Sequence, residues 1–411
     1  MIKYPSVLEP IFDKLKEYDI TPVIVGGFIR DSLLFIESKD IDIEVYGVVS
    51  FEILQDILQV FGKINLVGKS FGVCKLKFEG YDLDFSLPRK DNKIASGHRG
   101  FDIQTCSVLD FKTAASRRDF TINAIGFDLV SKKILDPFNG AADLENKILR
   151  AVDLESFGQD PLRVLRAVQF CARFDLSIEH NLAITCKEMV SCGLLAELPK
   201  ERIFEELKKL LLKSKRPSVG FKLLNKFGSD IFNDNLNVID EIAKQLTTNK
   251  KQNLVLMLAG LYFKIPKEQI EASLSIIVYE KELCKSIIEL VEAYNSLIHV
   301  DINGIDNYFI YKLATKINIE ELLILGSSIH YANNSQNLYK MGQIIFEKAK
   351  KLSVLTKKLS PLLQGRDLVE AGLSPSIEFS KILNDCYEAQ MNSEFKSHDE
   401  ASVWLKNYLN L

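Results

Sequence analysis

The spacing of apolar positions changes several times along the chain, and each change marks an element. Residues 6 to 19 repeat at helical spacing and lead into a β-branched run, Val23 to Val25. Gly26 and Gly27 interrupt that run, and the pair Arg30-Asp31 opens an apolar helix. A second strand then alternates strictly through Asp40, Ile41, Asp42 and Ile43. Helical spacing returns over residues 50 to 61, where Phe51, Leu54, Ile57, Leu58 and Phe61 share a face. Strands are predicted around Val73 to Phe78 and from Tyr81 to Leu87, the latter presenting Asp82 and Asp84 together. Residues 88 to 116 have little periodicity and carry Arg89, Lys90, Lys93, His98 and Arg99, so they read as a long mobile loop of a length usually tied to function. His98 has no partner at metal-ligand spacing and reads as a polar loop residue. Between Ala124 and Leu135 two short strands flank a Val-Ser-Lys-Lys turn, and Asp136-Pro137 with Asn139-Gly140 signals a further turn before a helix.

Beyond about residue 145 the pattern is helical. Asp160 followed by Pro161 starts a helix on which Val164, Leu165, Val168, Cys171 and Ala172 fall in one arc and Arg163, Arg166 and Arg173 in another. The stretch Lys200 to Leu212 packs through Ile203, Phe204, Leu207, Leu210 and Leu211. From Lys213 the chain is Lys-rich and poor in glycine. Lys208, Lys209, Lys213, Lys215, Arg216, Lys222 and Lys226 make a local positive excess that suits either a solvated face or phosphate contact.

Composition narrows the class. A chain of 411 residues exceeds one ordinary core, so two or more domains are expected. With 47% apolar and 26% charged residues it has the make-up of a soluble globular protein. No apolar run approaches a membrane span and Met1-Ile2-Lys3-Tyr4-Pro5 begins no signal peptide, which places the protein in the cytoplasm as an expectation. The seven cysteines, Cys74, Cys106, Cys171, Cys186, Cys192, Cys284 and Cys386, show no metal-ligand spacing and read as reduced, buried thiols. A net charge of −3 excludes a protein that coats nucleic acid indiscriminately, though not a local basic surface.

The candidate chemistry begins with Asp40 and Asp42. Period two places both carboxylates on one strand face, where they repel unless a divalent cation lies between them. Gly26 and Gly27 lack a Cβ, so backbone N–H groups ahead of a helix can approach a phosphate. Together these features describe a site for a metal-bound triphosphate. Asp84 is the candidate third carboxylate, a general base on an attacking hydroxyl, with Asp82 as the alternative. Arg117 and Arg118 could neutralise phosphate charge bidentately.

Two glycines, twelve intervening residues and Asp-Ile-Asp resemble the nucleotidyltransferase superfamily that includes DNA polymerase beta. With Arg117-Arg118-Asp119-Phe120-Thr121-Ile122-Asn123-Ala124, then Asp136-Pro137-Phe138-Asn139-Gly140, then the helix from Gln159 to Phe174, the order and spacing are similar to the class II tRNA nucleotidyltransferases and bacterial poly(A) polymerases. The resemblance covers residues 20 to 215 and weakly the rest. It implies an α+β protein with a polymerase-beta-like head bearing a small mixed sheet, followed by an all-α neck, body and tail. The divisions expected are 1–145 for the head, 146–225 for the neck, 226–345 for the body and 346–411 for a tRNA-binding tail.

The resemblance further implies template-independent transfer of CMP or AMP from CTP or ATP to an RNA 3′ end, with Mg2+ as cofactor on Asp40 and Asp42 and tRNA as partner, by a monomer. It implies a nucleotide site of Gly26, Gly27, Arg30, Asp31, Arg117, Arg118, Asp119, Asn123, Asp160, Arg163 and Arg166. Asp160 and Arg163 would read the base edge of cytosine or adenine, and Arg166 would lie nearer the phosphates. Gln159 stands where the family usually has glutamate, so any ion pair made there is weakened. Arg202, Glu205 and Glu206 match a last motif whose helix reads first as packing. Residues 251 to 264 lack the His-Asp pair that many relatives carry, and His398-Asp399 reads as surface. The implied alternatives are addition of A or CC alone, poly(A) synthesis, or, from another class, a non-catalytic RNA-binding protein. Within the family a working loop between the first motifs accompanies adenosine addition, so the basic stretch 88 to 116 favours complete CCA addition.

Overall fold

The computed structural model describes residues 2–48, 50–67, 73–93, 101–105, 109–229, 236–278, 280–333 and 339–410. The chain divides into two compact units, Met1–Asn233 and Asp234–Leu411.

The first unit is built on a seven-stranded mixed sheet. In chain order its strands are β1 (Thr21–Val25), β2 (Asp40–Tyr46), β3 (Ile64–Val67), β4 (Val73–Phe78) and β5 (Tyr81–Ser86); after the hairpin β6 (Arg89–Lys93) and β7 (Phe101–Thr105) come β8 (Gly126–Asp128) and β9 (Lys133–Leu135). The spatial order is β3-β4-β5-β2-β1-β8-β9, and β2 with β5 is the parallel pair among antiparallel neighbours. Helices α1 (Glu9–Lys16), α2 (Gly27–Leu33) and α3 (Phe51–Leu58) supply the apolar cover. Phe12, Leu15, Ile29, Leu54 and Leu58 from these helices share a core with Ile41, Ile43, Leu83 and Phe85, so one sheet face is closed and the other carries the polar alternates.

The remaining helices of this unit are α4 (Phe111–Ala115), α5 (Gly140–Glu145), α6 (Leu154–Phe157), α7 (Leu162–Phe174), α8 (His180–Ser191), α9 (Lys200–Lys213) and α10 (Pro217–Lys226). A two-stranded parallel pair, β10 (Ile148–Leu149) with β11 (Ser177–Ile178), ties the entry and exit of α7 together. The Asp-Pro-Phe-Asn-Gly turn is structural: Asp136 accepts the N–H groups of Gly140 and Ala141 at 2.7 and 2.9 Å, satisfying the open end of α5. Helix α7 packs against α9 and α10, and its Phe170 and Phe174 join a second core with Phe120 and Phe157.

Three sequence expectations change here. The stretch 88 to 116 is not structureless in its described parts: β6 and β7 pair from Arg89↔Thr105 to Lys93↔Phe101, and Asp110 caps α4. Its strands escaped notice because Arg-Lys-Asp-Asn-Lys has no β propensity of its own and is held by its partner. His98 and Arg99, like Cys106, lie outside the described residues. Strand β3 was not anticipated either. Of the cysteines described, Cys192 is exposed and Cys284 half-buried, while Cys74, Cys171, Cys186 and Cys386 are buried as expected. Burial pushes the thiols of Cys74, Cys171 and Cys186 up to about 12, which keeps them inert.

The second unit is helical throughout its described residues: α11 (Leu236–Ala243), α12 (Lys250–Tyr262), α13 (Lys267–Ile277), α14 (Lys281–Leu297), α15 (Asn307–Lys316), α16 (Ile319–Asn333), α17 (Lys340–Lys351), α18 (Gly365–Glu370), α19 (Glu378–Met391) and α20 (His398–Leu409). Helix α12 is apolar all round, and every residue from Asn253 to Tyr262 is buried, so it forms the centre around which α11, α14 and α16 pack. A small separate core joins Leu368, Ile382, Cys386, Ala401 and Leu405. Beside it His398 is exposed, as its surface reading expected, but it is not isolated: its Nε2 pairs with Asp367 Oδ1 at 3.0 Å and ties α20 to α18. No helix among the described residues is long and apolar enough to cross a membrane.

Candidate active site

The open face of the sheet carries the acidic residues. On β2 the side chains of Asp40 and Asp42 are exposed while Ile41 and Ile43 are buried, as period two requires. The parallel pairing of β2 with β5 puts Asp40 opposite Asp82 and Asp42 opposite Asp84. Strand β4 then sets Lys77 opposite Asp82 and Lys75 opposite Asp84. Lys75 forms an ion pair with Asp84, and Lys77 lies 3.2 Å from Asp82. The result is a cleft of about 720 Å3 whose floor alternates acid and base and whose outer wall adds Lys63 and Asn65.

Asp42 is the residue nearest the glycine turn, because β1 pairs Val25 with Asp42 just before Gly26. Burial pushes the Asp42 carboxyl above its ordinary range, Arg118 pulls it down, and Asp84 adds to the rise. A cation beside Asp42 would offset both the desolvation of this carboxylate by its neighbours and its repulsion by Asp84. Among the described residues no three acidic, histidine or cysteine side chains converge on a point. Asp40 and Asp42, two carboxylates on one strand face, offer oxygen donors of the kind that would suit a divalent cation.

Gly26 has φ +70°, a left-handed conformation that glycine tolerates, and a Cβ there would lie 2.9 Å from Arg118 Nη1. Arg118 donates from Nη2 to Glu44 Oε1 at 2.8 Å, and Arg117 Nη2 donates to the same oxygen at 2.9 Å. Glu44, 1% exposed, also accepts the Tyr46 hydroxyl at 2.9 Å on Oε2. Burial alone would raise the Glu44 carboxyl, but Arg118, Arg117 and Tyr46 outweigh it and hold it below the usual carboxylate range. Among the described residues the buried Arg118 Nε has no hydrogen-bond partner, an orphan donor of the kind an anion satisfies. Glu44 was missed from sequence. The signal was present, since Asp40, Asp42 and Glu44 continue one alternation, but its burial was not visible. Lys75 was missed likewise.

Five expected nucleotide ligands bond to one another instead. Arg30 and Asp31 are buried at 5% and 6% exposure. Arg30 donates from Nε and Nη2 to Asp31 Oδ1 and from Nη1 to Asn123 Oδ1, at 2.6 to 2.8 Å, and lies over the rings of Phe170 and Phe174. Asn123 donates in turn to Asp119 Oδ1 at 3.0 Å. Arg166 closes on Asp119 Oδ2 at 2.6 Å rather than standing free for phosphate, with Glu206 3.8 Å beyond. Arg30, Asp31, Asn123 and Asp119 therefore have their polar atoms committed to one another, and Arg166 shares in that network. Burial would raise the Asp119 carboxyl, yet Arg166 and Asn123 hold it low. Glu206, expected as part of a packing helix, is buried and bound to Lys209 at 2.8 Å.

At the start of α7, Asp160 Oδ1 accepts the Leu162 N–H at 3.1 Å and Arg163 Nη2 donates to the Arg117 carbonyl at 2.8 Å. Arg163 is thus fastened to the segment that carries the two arginines, and Asp160, half-exposed like it, holds the first turn of its helix.

A mixed sheet of this order, with helices behind it and acidic residues in front, is the fold of solved CCA-adding enzymes. Residues 23–150 match the family model of the poly A polymerase head domain, and residues 175–229 match the probable RNA and SrmB-binding site of polymerase A. The CCA-adding enzyme of Lactococcus lactis is 28% identical over 410 residues, spanning 96% of this chain and 94% of that protein. The multifunctional CCA protein of Haemophilus ducreyi is 35% identical over 206 residues, 49% of this chain and 48% of that protein. The chain spans about half the length of the first curated relatives it matches. The Bacillus stearothermophilus CCA-adding enzyme in complex with CTP superposes with a TM-score of 0.72 at 20% identity, covering 99% of this chain and 98% of that one. The Thermotoga maritima CCA-adding enzyme complexed with tRNA gives 0.66 at 20% identity, covering 99% and 97%. The chain is thus similar to CCA-adding enzymes along nearly its whole length, and its residues 23–150 match the poly A polymerase head domain.

Proposed function

We propose that this protein adds CMP and AMP to the 3′ end of tRNA in the cytoplasm, building or repairing CCA with CTP and ATP. The observation that carries the reading is the register of β1, β2 and β5, which brings Asp42 level with Asp84 and next to the Gly26 turn beneath Arg118. Relatives named CCA-adding enzymes, one matched along nearly its full length, support the substrate.

Asp40 and Asp42 would hold Mg2+, which when bound activates the acceptor hydroxyl and neutralises charge on the α-phosphate. The chain's own groups do the rest. The Gly26-Gly27 turn admits the triphosphate, and Arg117 and Arg118 bind its oxygens. Asp84, level with Asp42, takes the proton of the terminal hydroxyl; Asp82 lies level with Asp40, farther from the turn, and is the weaker candidate. Asp160 and Arg163 read the edge of cytosine or adenine, an assignment supported by the bond of Arg163 to the Arg117 carbonyl. In this reading residues 1–145 are the catalytic head and 146–225 the base-reading neck, while 226–345 and 346–411 form the body and the tRNA-holding tail.

Transcripts ending before CCA, before CA and before A, each incubated with one labelled triphosphate at a time, test the proposal. Addition of two cytidines and then one adenosine is expected. Long adenylate tails would make it a poly(A) polymerase, addition of C or A alone a partial enzyme, and no uptake on any transcript an RNA-binding protein without activity.

A further inference from the structure

A buried carboxylate beside a triphosphate pocket is unexpected, because its charge opposes the ligand. Glu44 is nevertheless enclosed there, two residues beyond Asp42 on the same strand face. Its Oε1 takes one N–H from each of Arg117 and Arg118, and its Oε2 is held by Tyr46. Two adjacent guanidinium groups would otherwise repel and sample many rotamers. One oxygen shared between them fixes both, and with Arg118 Nη2 so engaged, Nη1 lies against Gly26 and Nε is left unpaired among the described residues.

Resting on the nucleotidyl-transfer reading, we propose that Glu44 is a positioning residue that aims Arg117 and Arg118 at the β- and γ-phosphates, giving up some electrostatic attraction in return for fixed geometry. The hydroxyl of Tyr46 completes the device by fixing Glu44 itself. The base-reading residues act at the other end of the nucleotide, so Glu44 should affect how the protein senses phosphates and not how it senses the base.

Charge and position predict opposite signs, which makes the proposal testable by equilibrium titration of the full-length protein with CTP and with CMP in the presence of Mg2+. Glu44→Gln removes the negative charge and weakens two charge-assisted hydrogen bonds. If position dominates, CTP affinity falls roughly tenfold while CMP affinity stays within about twofold. Tyr46→Phe keeps the charge and loosens its holder, so the CTP-to-CMP ratio should fall by about threefold in the same direction. This variant decides the matter alone if thermal melting shows Glu44→Gln to be unfolded. Tighter or unchanged CTP binding in the folded variants, with CMP unchanged, would overturn the positioning role. An equal loss for CTP and CMP would also overturn it, since that is the mark of general structural damage. If the unaltered protein itself bound CTP no better than CMP, the triphosphate reading would fail together with this one; a discriminating parent with unshifted variants would sink only the role of Glu44.

Discussion

Asp42 combines a carboxyl partly desolvated by its neighbours, a like-charged neighbour in Asp84 and a glycine turn at its side. Replacing it with alanine should lower nucleotide incorporation by at least roughly a thousandfold, the loss of several kcal/mol of transition-state stabilisation. The melting temperature should stay the same or rise, because burial and Asp84 already oppose the charge. Retained turnover in a folded Asp42→Ala protein would remove the catalytic assignment. Asp119 is the contrasting case, since its work is internal. Its carboxyl is held low in the folded state, so the stability it contributes is full above the unfolded value of about 3.9 and is lost as pH falls through the lower folded value. Asp119→Asn should cost about 3 kcal/mol at neutral pH, because Arg166 loses its buried partner. Denaturant unfolding of both proteins from pH 7 down to 3 should show a shallower acid decline for the variant; parallel curves would contradict the ion-pair account.

At the scale of elements, the β6–β7 hairpin stands where sequence suggested a bare loop. Paired strands make a stiffer lever than a loop, and the hairpin joins the end of β5 to α4, directly before Arg117. Movement there would reach the segment to which Arg163 is tied. Replacing residues 92–104 with a few glycines should leave cytidine addition largely intact and slow the terminal adenosine on the order of a hundredfold, the cost of a misplaced reacting group. Single-turnover assays on transcripts ending in C and in CC would check it. An unaltered adenosine rate would refute the lever and, with it, the preference for complete CCA addition over cytidine addition alone.

For the molecule as a whole, the proposed function requires a protein of net charge −3 to hold RNA. In the first unit, Lys213, Lys215, Arg216, Lys222 and Lys226 are exposed between the end of α9 and the end of α10, whereas Lys208 and Lys209 are paired with Glu205 and Glu206. This exposed cluster is the better candidate for phosphate contact. Changing Lys215, Lys222 and Lys226 together to glutamine should weaken tRNA binding and reduce the slope of log affinity against log salt by about 2 to 3, with CTP affinity unchanged. A slope equal to that of the parent protein would return these lysines to the role of a solvated face.

Local rules made much of this protein legible. Strand alternation alone put Asp40 with Asp42 and Asp82 with Asp84, and the missing Cβ atoms of Gly26 and Gly27 marked the turn, because period and turn chemistry depend on residues close in the chain. Four motifs in order were enough to suggest the family. Tertiary structure alone decided which polar groups face a ligand and which face each other. Glu44 gained its role from arginines more than seventy residues away in sequence. Asp84 met Lys75 only because β4 lies beside β5. Arg30 and Asp31 carried the motif of a ligand-binding turn yet were closed in by Phe170 and Phe174 from α7. A side chain's type is written at its own position, but whether its polar atoms meet water, a nucleotide or another side chain depends on what packs over it, and that is settled only when distant elements meet.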